Sequence, residues 1–130
     1  MIKAIRTSDA PAPAGTYSQA ITTGSLVFTC GMGPKDPVTG QIPEGVAAQT
    51  RQVLRNLEAI LRAAGTDLAH TVKTTVHLAN VREDFAAFDQ VYREFFQPPY
   101  PVRTTVGSTL QGILVEIDLV AAAPDGAGQG

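Results

Sequence analysis

Thiols are almost missing from this chain: among 130 residues there is one cysteine, Cys30. A lone cysteine excludes an internal disulfide and agrees with a reducing compartment. Charge is scarce as well. Asp, Glu, Lys and Arg together make up 17% of the residues, and the formal net charge is −2. No cluster of Lys and Arg stands out, so the basic stripe with which a nucleic-acid binder displaces counterions is lacking. Long apolar runs are lacking too, far short of the roughly 18 residues that a membrane-spanning helix needs. The first residues, MIKAIRTSDAPAPAGTY, have no apolar central region of the signal-peptide kind. These absences point to a cytoplasmic protein with neither nucleic acid nor membrane as a partner.

What is present suits one folded domain. Hydrophobic residues account for 44% of the chain, enough for a core and against disorder. The expected domain spans 1–123, and the Gly-rich end PDGAGQG, 124–130, reads as a disordered tail. IKAI at 2–5 fits a short edge strand. YSQAITTGSLVFTC at 17–30 reads as a hairpin turning near Thr23-Gly24-Ser25. A helix is expected over 45–64, with Val46, Val53, Leu57, Ile60 and Ala64 on one face and Gly65 as its stop. A strand over 70–80 sets Val72, Thr74, Val76 and Leu78 against Thr71, Lys73, Thr75 and His77. Asn80 and Glu83 suggest a capping box for a second helix over about 82–96. Its stripe of Phe85, Phe88, Val91, Tyr92 and Phe95 belongs to the core. Strands over 102–107 and 113–122 close the chain.

The order ββ-α-β-α-ββ lets two helices cover one face of a four-to-six-stranded sheet. In the last strand Leu114, Glu116, Asp118, Val120 and Ala122 point away from Ile113, Val115, Ile117, Leu119 and Ala121. That second face is too apolar for solvent, so a partner is expected against it, most simply further copies of this chain. Arg103 and Glu116 are the charges embedded in the closing strands. If Val102 and Val106 join the Val115/Ile117 face, Arg103 and Glu116 share the other one. Two readings follow. A guanidinium fork beside a carboxylate can hold a small carboxylic acid and move a proton. The same pair can equally be a cross-strand ion pair at an interface.

The remaining candidates read as structure. Cys30 fits a small buried hydrophobe or pocket lining, since no base is placed to activate it. His70 and His77 lack a metal-ligand spacing, so no metal site is expected. GMGPKD is a turn rather than a phosphate loop.

Several segments in order resemble the Rid family, also called YjgF, the reactive intermediate deaminases. They are GTYSQAI at 15–21, LVFTCGMGPKDPVTGQIP at 26–43, QTRQVLRNLEAILRAAGTDLAHTVKTTVHL at 49–78, FAAFDQVYREFF at 85–96, PVRTTVG at 101–107 and VEIDLVAA at 115–122. The resemblance implies an α+β, chorismate-mutase-like fold with two helices on one face of a mixed sheet, packing as a homotrimer with clefts between subunits. It also implies cofactor-free hydrolysis of enamine and imine intermediates, such as 2-aminoacrylate, to 2-oxo acids and ammonia. By position, Arg103 would bind the substrate carboxylate and Glu116 would position the attacking water. Tyr17 would line the pocket, the backbone at Cys30 and Gly31 would contact substrate, and Thr105 would lie beside them.

This chain departs from the best-known deaminases at four positions. Thr105 stands where they have cysteine, and Cys30 where serine is common. Met32 stands where glutamine is common, and Asp89 where asparagine is frequent. Asp89, if it reaches the site, would disfavour dianionic substrates. The alternatives are a non-catalytic trimer that binds small carboxylates or 2-oxo acids, and a pathway-specific deaminase for aminomuconate-type substrates.

Overall fold

The computed structural model describes residues 1–123; the expectation for 124–130 lies outside the described residues. Six strands form one sheet: β1 (Ile2–Ile5), β2 (Ala20–Thr23), β3 (Leu26–Thr29), β4 (Thr71–Leu78), β5 (Val102–Gly107) and β6 (Val115–Ala122). Two helices, α1 (Val46–Ala63) and α2 (Val81–Phe95), precede β4 and β5. The sheet order is β1-β2-β3-β6-β4-β5. Its pairs are antiparallel except β4 with β5, which run parallel because α2 carries the chain back between them.

Local chemistry explains the boundaries. Gly24 turns the β2–β3 hairpin at φ +57°, a conformation that L side chains rarely adopt. Gly65, at φ +86°, ends α1 one residue past its C-cap, as expected of a left-handed glycine stop. α1 buries Val53, Leu54, Leu57, Ile60 and Leu61 against the sheet. α2 buries Phe88, Val91 and Tyr92. Asn80 is the N-cap of α2, but its side chain makes no capping bond, so the expected box does not form. Among the described residues no helix is long and apolar enough to cross a membrane.

Three details of the sheet differ from the sequence reading. β6 begins at Val115 rather than at the expected 113, though it alternates as expected, with Val115, Ile117, Leu119 and Ala121 buried and the residues between them half-exposed. In β4 a bulge between Thr71 and Lys73 breaks the alternation. It buries Thr71 and turns Val72 outward. The third difference concerns β5. Arg103 pairs with Thr74, which pairs with Leu119, so all three share the helix-covered face. Val106 pairs with His77, which pairs with Glu116, so these share the open face. Arg103 and Glu116 therefore lie on opposite faces, and the expected shared face is corrected. The valines were assigned inward because they are apolar; Val102 is instead 64% exposed on the open face. That face is itself apolar, carrying Leu26, Phe28, Val72, Val102 and Val106, all substantially exposed.

Candidate functional site

Two half-sites emerge, one on each side of the sheet. The first is built around Arg103. Thr74 and Thr105, its neighbours on the helix-covered face, give no counter-charge. α2 supplies one: Arg103 Nη1 donates to Asp89 Oδ1 at 2.8 Å. Arg93, one turn further along α2, donates from Nη2 to Asp89 Oδ2 at 3.0 Å. Burial works to raise the Asp89 pKa, but hydrogen bonds from Arg103 and Arg93 outweigh it and hold the carboxyl below its ordinary range. The guanidinium carbon of Arg103 lies 4.6 Å from the Tyr92 ring centroid and 5.5 Å from those of Phe85 and Phe88. Cation–π contact on this side fixes the fork in direction. Tyr92 is itself fixed, 2.9 Å from the Thr74 hydroxyl, and burial pushes its phenol pKa up. Arg103, Asp89, Tyr92, Arg93, Tyr100 and Pro101 line an open cavity of about 390 Å³. That is ample for a small organic acid.

The second half-site surrounds Glu116. Phe28 pairs with Val120, whereas Met32 pairs with Ile117. One strand advances four residues while the other advances three, so one residue of 29–31 is extra, a bulge beside the site. The Thr29 hydroxyl fills the break by accepting from Leu119 N–H at 3.0 Å. Cys30 N–H donates to Gln19 O at 2.9 Å, which brings the loop carrying Tyr17 alongside. The Glu116 carboxylate lies against Gly31, where an added Cβ would sit 2.6 Å from Oε2. Two buried amides of α1 hold the flanking loops. Asn56 donates to Gly33 O and Lys35 O, and Gln49 accepts from Leu114 N–H.

Burial raises the Cys30 thiol pKa, and the Glu116 and Asp118 charges add to the rise against a backbone hydrogen bond. A thiol held protonated is a poor nucleophile. Burial likewise raises Asp118, partly offset by His77 and Lys73. His77 Nδ1 lies 2.7 Å from Ser108 Oγ.

Of the residues singled out from sequence, Cys30, Gly31 and Glu116 come together, with Tyr17 two residues before Gln19. Tyr17 is half exposed, and its hydroxyl accepts from Ala14 N–H at 3.1 Å. Arg103 and Thr105 stand apart from them. Two strand spacings across and three residues along put Arg103 and Glu116 Cα atoms about 14 Å apart, before their opposite faces are counted. Sequence reasoning missed Arg93 and Tyr100; it read His77 as structure and set Asp118 on the Glu116 face without giving it a role. The Asp89–Arg93 spacing of one helical turn was the available signal for the first. Among the described residues, no three of His, Cys, Asp and Glu gather to hold a metal ion.

Comparison with known proteins gives the same architecture. The Endoribonuclease L-PSP family model matches residues 7–123. The chain belongs to this family, the YjgF/RidA family. It is 50% identical over 123 residues to the RutC family protein y4sK of Sinorhizobium fredii, covering 92% of this chain and 97% of that one. It is 41% identical over 122 residues to the 2-iminobutanoate/2-iminopropanoate deaminase of Rattus norvegicus, covering 92% and 88%. The crystal structure of RidA from an Antarctic Psychrobacter superposes with a TM-score of 0.88 at 38% identity, covering 92% and 98%. Imine deamination is thus represented among members of this YjgF/RidA family.

Proposed function

We propose that this YjgF/RidA-family chain is a cofactor-free hydrolase of 2-imino acids and their enamine tautomers, 2-aminoacrylate among them. Its sites are clefts between the subunits of a homotrimer. The observation that carries the reading is Arg103: a guanidinium whose carbon lies within 5.5 Å of three ring centroids and which lines a cavity sized for a small acid. Planar recognition of a carboxylate is what such a fork does best. The name of the rat relative, an iminobutanoate and iminopropanoate deaminase, supports the substrate class.

In this reading Arg103 holds the substrate carboxylate and Thr105 lines the wall beside it. Glu116, Gly31, Cys30 and Tyr17 come from the adjacent subunit, because one chain keeps the two half-sites on opposite faces. An enamine first takes a proton on carbon to give the imine. Water, held by Glu116, then adds to the C=N carbon, the amine leaves as ammonia, and the 2-oxo acid remains. Such imines hydrolyse unaided, so orientation and a placed carboxylate suffice for useful acceleration.

The test follows 2-oxo acid and ammonia release from imino acids generated in situ by an amino-acid oxidase. Acceleration by the wild type and its loss in Arg103→Ala are expected. If the wild type binds 2-oxo acids but accelerates none of a panel of imino acids, the protein is a carboxylate-binding trimer instead.

A further inference from the structure

Resting on the imino-acid reading above, we propose that Asp89, clamped between Arg103 and Arg93, makes the cavity selective for imino acids bearing a single carboxylate. Both Asp89 oxygens are engaged, Oδ1 by Arg103 and Oδ2 by Arg93. The carboxylate is therefore a fixed part of the wall. Two cations and one anion leave the lining with one net positive charge. A single substrate carboxylate neutralises it.

A second carboxylate finds only Arg93 among the other cations lining the cavity, already paired with Asp89, and so meets the Asp89 charge beside it. Like charges at such separation in a half-exposed site repel measurably. The geometry also restricts approach to Arg103. Phe85, Phe88 and Tyr92 cluster about its guanidinium, and Asp89 takes Nη1. An incoming acid must use the remaining edge and lie next to Asp89. The rest of the wall, Tyr100 and Pro101, suits an uncharged substrate side chain. The accepted class is thus monocarboxylic imino acids with neutral side chains.

The experiment measures kcat/KM for imino acids formed from alanine or leucine and for those formed from aspartate or glutamate, in wild type and Asp89→Asn. The wild type favours the monoanions. Asp89→Asn is expected to raise the dianion-to-monoanion ratio about tenfold, chiefly through KM, as removal of one unit charge near the ligand requires. Arg93→Gln, at an exposed position, is expected to shift the ratio the other way. A ratio unchanged within about twofold in both variants, with turnover intact, overturns the selectivity while leaving the hydrolase reading standing.

If the wild type turns over neither class, the hydrolase reading falls, and binding of 2-oxobutanoate against 2-oxoglutarate then decides the role of Asp89. The same shift in the ratio of Kd values upholds it. An unshifted ratio, or no binding of either acid, overturns it.

Discussion

Gly31 owes its importance to what a methyl group would strike. Its φ demands nothing special, but a Cβ there would sit 2.6 Å from Glu116 Oε2. The obstructing atom is the far end of a flexible side chain, so Gly31→Ala costs little stability and displaces the carboxylate. The expected outcome is a near-normal melting temperature with kcat lowered about a hundredfold, the effect of a misplacement near 1 Å on a positioned group. Circular dichroism and the imine assay read the two quantities separately. Equal loss of stability and activity would show that the glycine serves the backbone instead. The sequence marked Gly31 as a residue of interest only through family resemblance. The close approach depends on a bulge between β3 and β6 that no spacing in the sequence discloses.

Elements were legible where periodicity was strong and ambiguous where two apolar faces compete. The helices and the β2–β3 hairpin follow from 3.6-residue stripes and a turn glycine. β5 shows the limit. Alternation separated Val102 and Val106 from Arg103 correctly, but it could not say which set faces the helices. Hydrophobic matching fixes register only when one face is polar. Here the open face is apolar as well, with Phe28 41% exposed on it. The cation then goes inward, where three aromatic residues of α2 receive it.

α2 is consequently both a packing element and the support of the candidate site. Phe88 is fully buried and touches the rings of Phe85 and Tyr92 as well as Arg103. Phe88→Ala is expected to cost about 3–5 kcal/mol in denaturant unfolding. A cost below about 1 kcal/mol would mean that α2 repacks and that the stack does not fix the arginine.

At the scale of the molecule, the separation of the half-sites makes a prediction about mixtures. Arg103→Ala and Glu116→Gln are each expected to be inactive. In a trimer whose clefts combine one chain's Arg103 with its neighbour's Glu116, randomly mixed subunits restore about a quarter of the clefts. Co-unfolding and refolding equal amounts of the two variants should therefore recover about a quarter of wild-type activity, and a sizing column should show one trimeric species. A mixture as inactive as its parents would place both residues in the same chain's site. The surface expected to meet in such an assembly is the open face of the sheet, where Leu26, Phe28, Val72, Val102 and Val106 are exposed on several strands.

The chain also carries its own optical reporter. It has no tryptophan and three tyrosines. Tyr92 and Tyr100 line the Arg103 cavity, and Tyr17 lies on the loop tied to Cys30. Intrinsic emission therefore arises almost wholly from the two half-sites, with no indole to mask it. The arrival of an acid at the guanidinium beside Tyr92 changes the field on a neighbouring phenol, so ligand binding can be followed on the unlabelled protein by light alone.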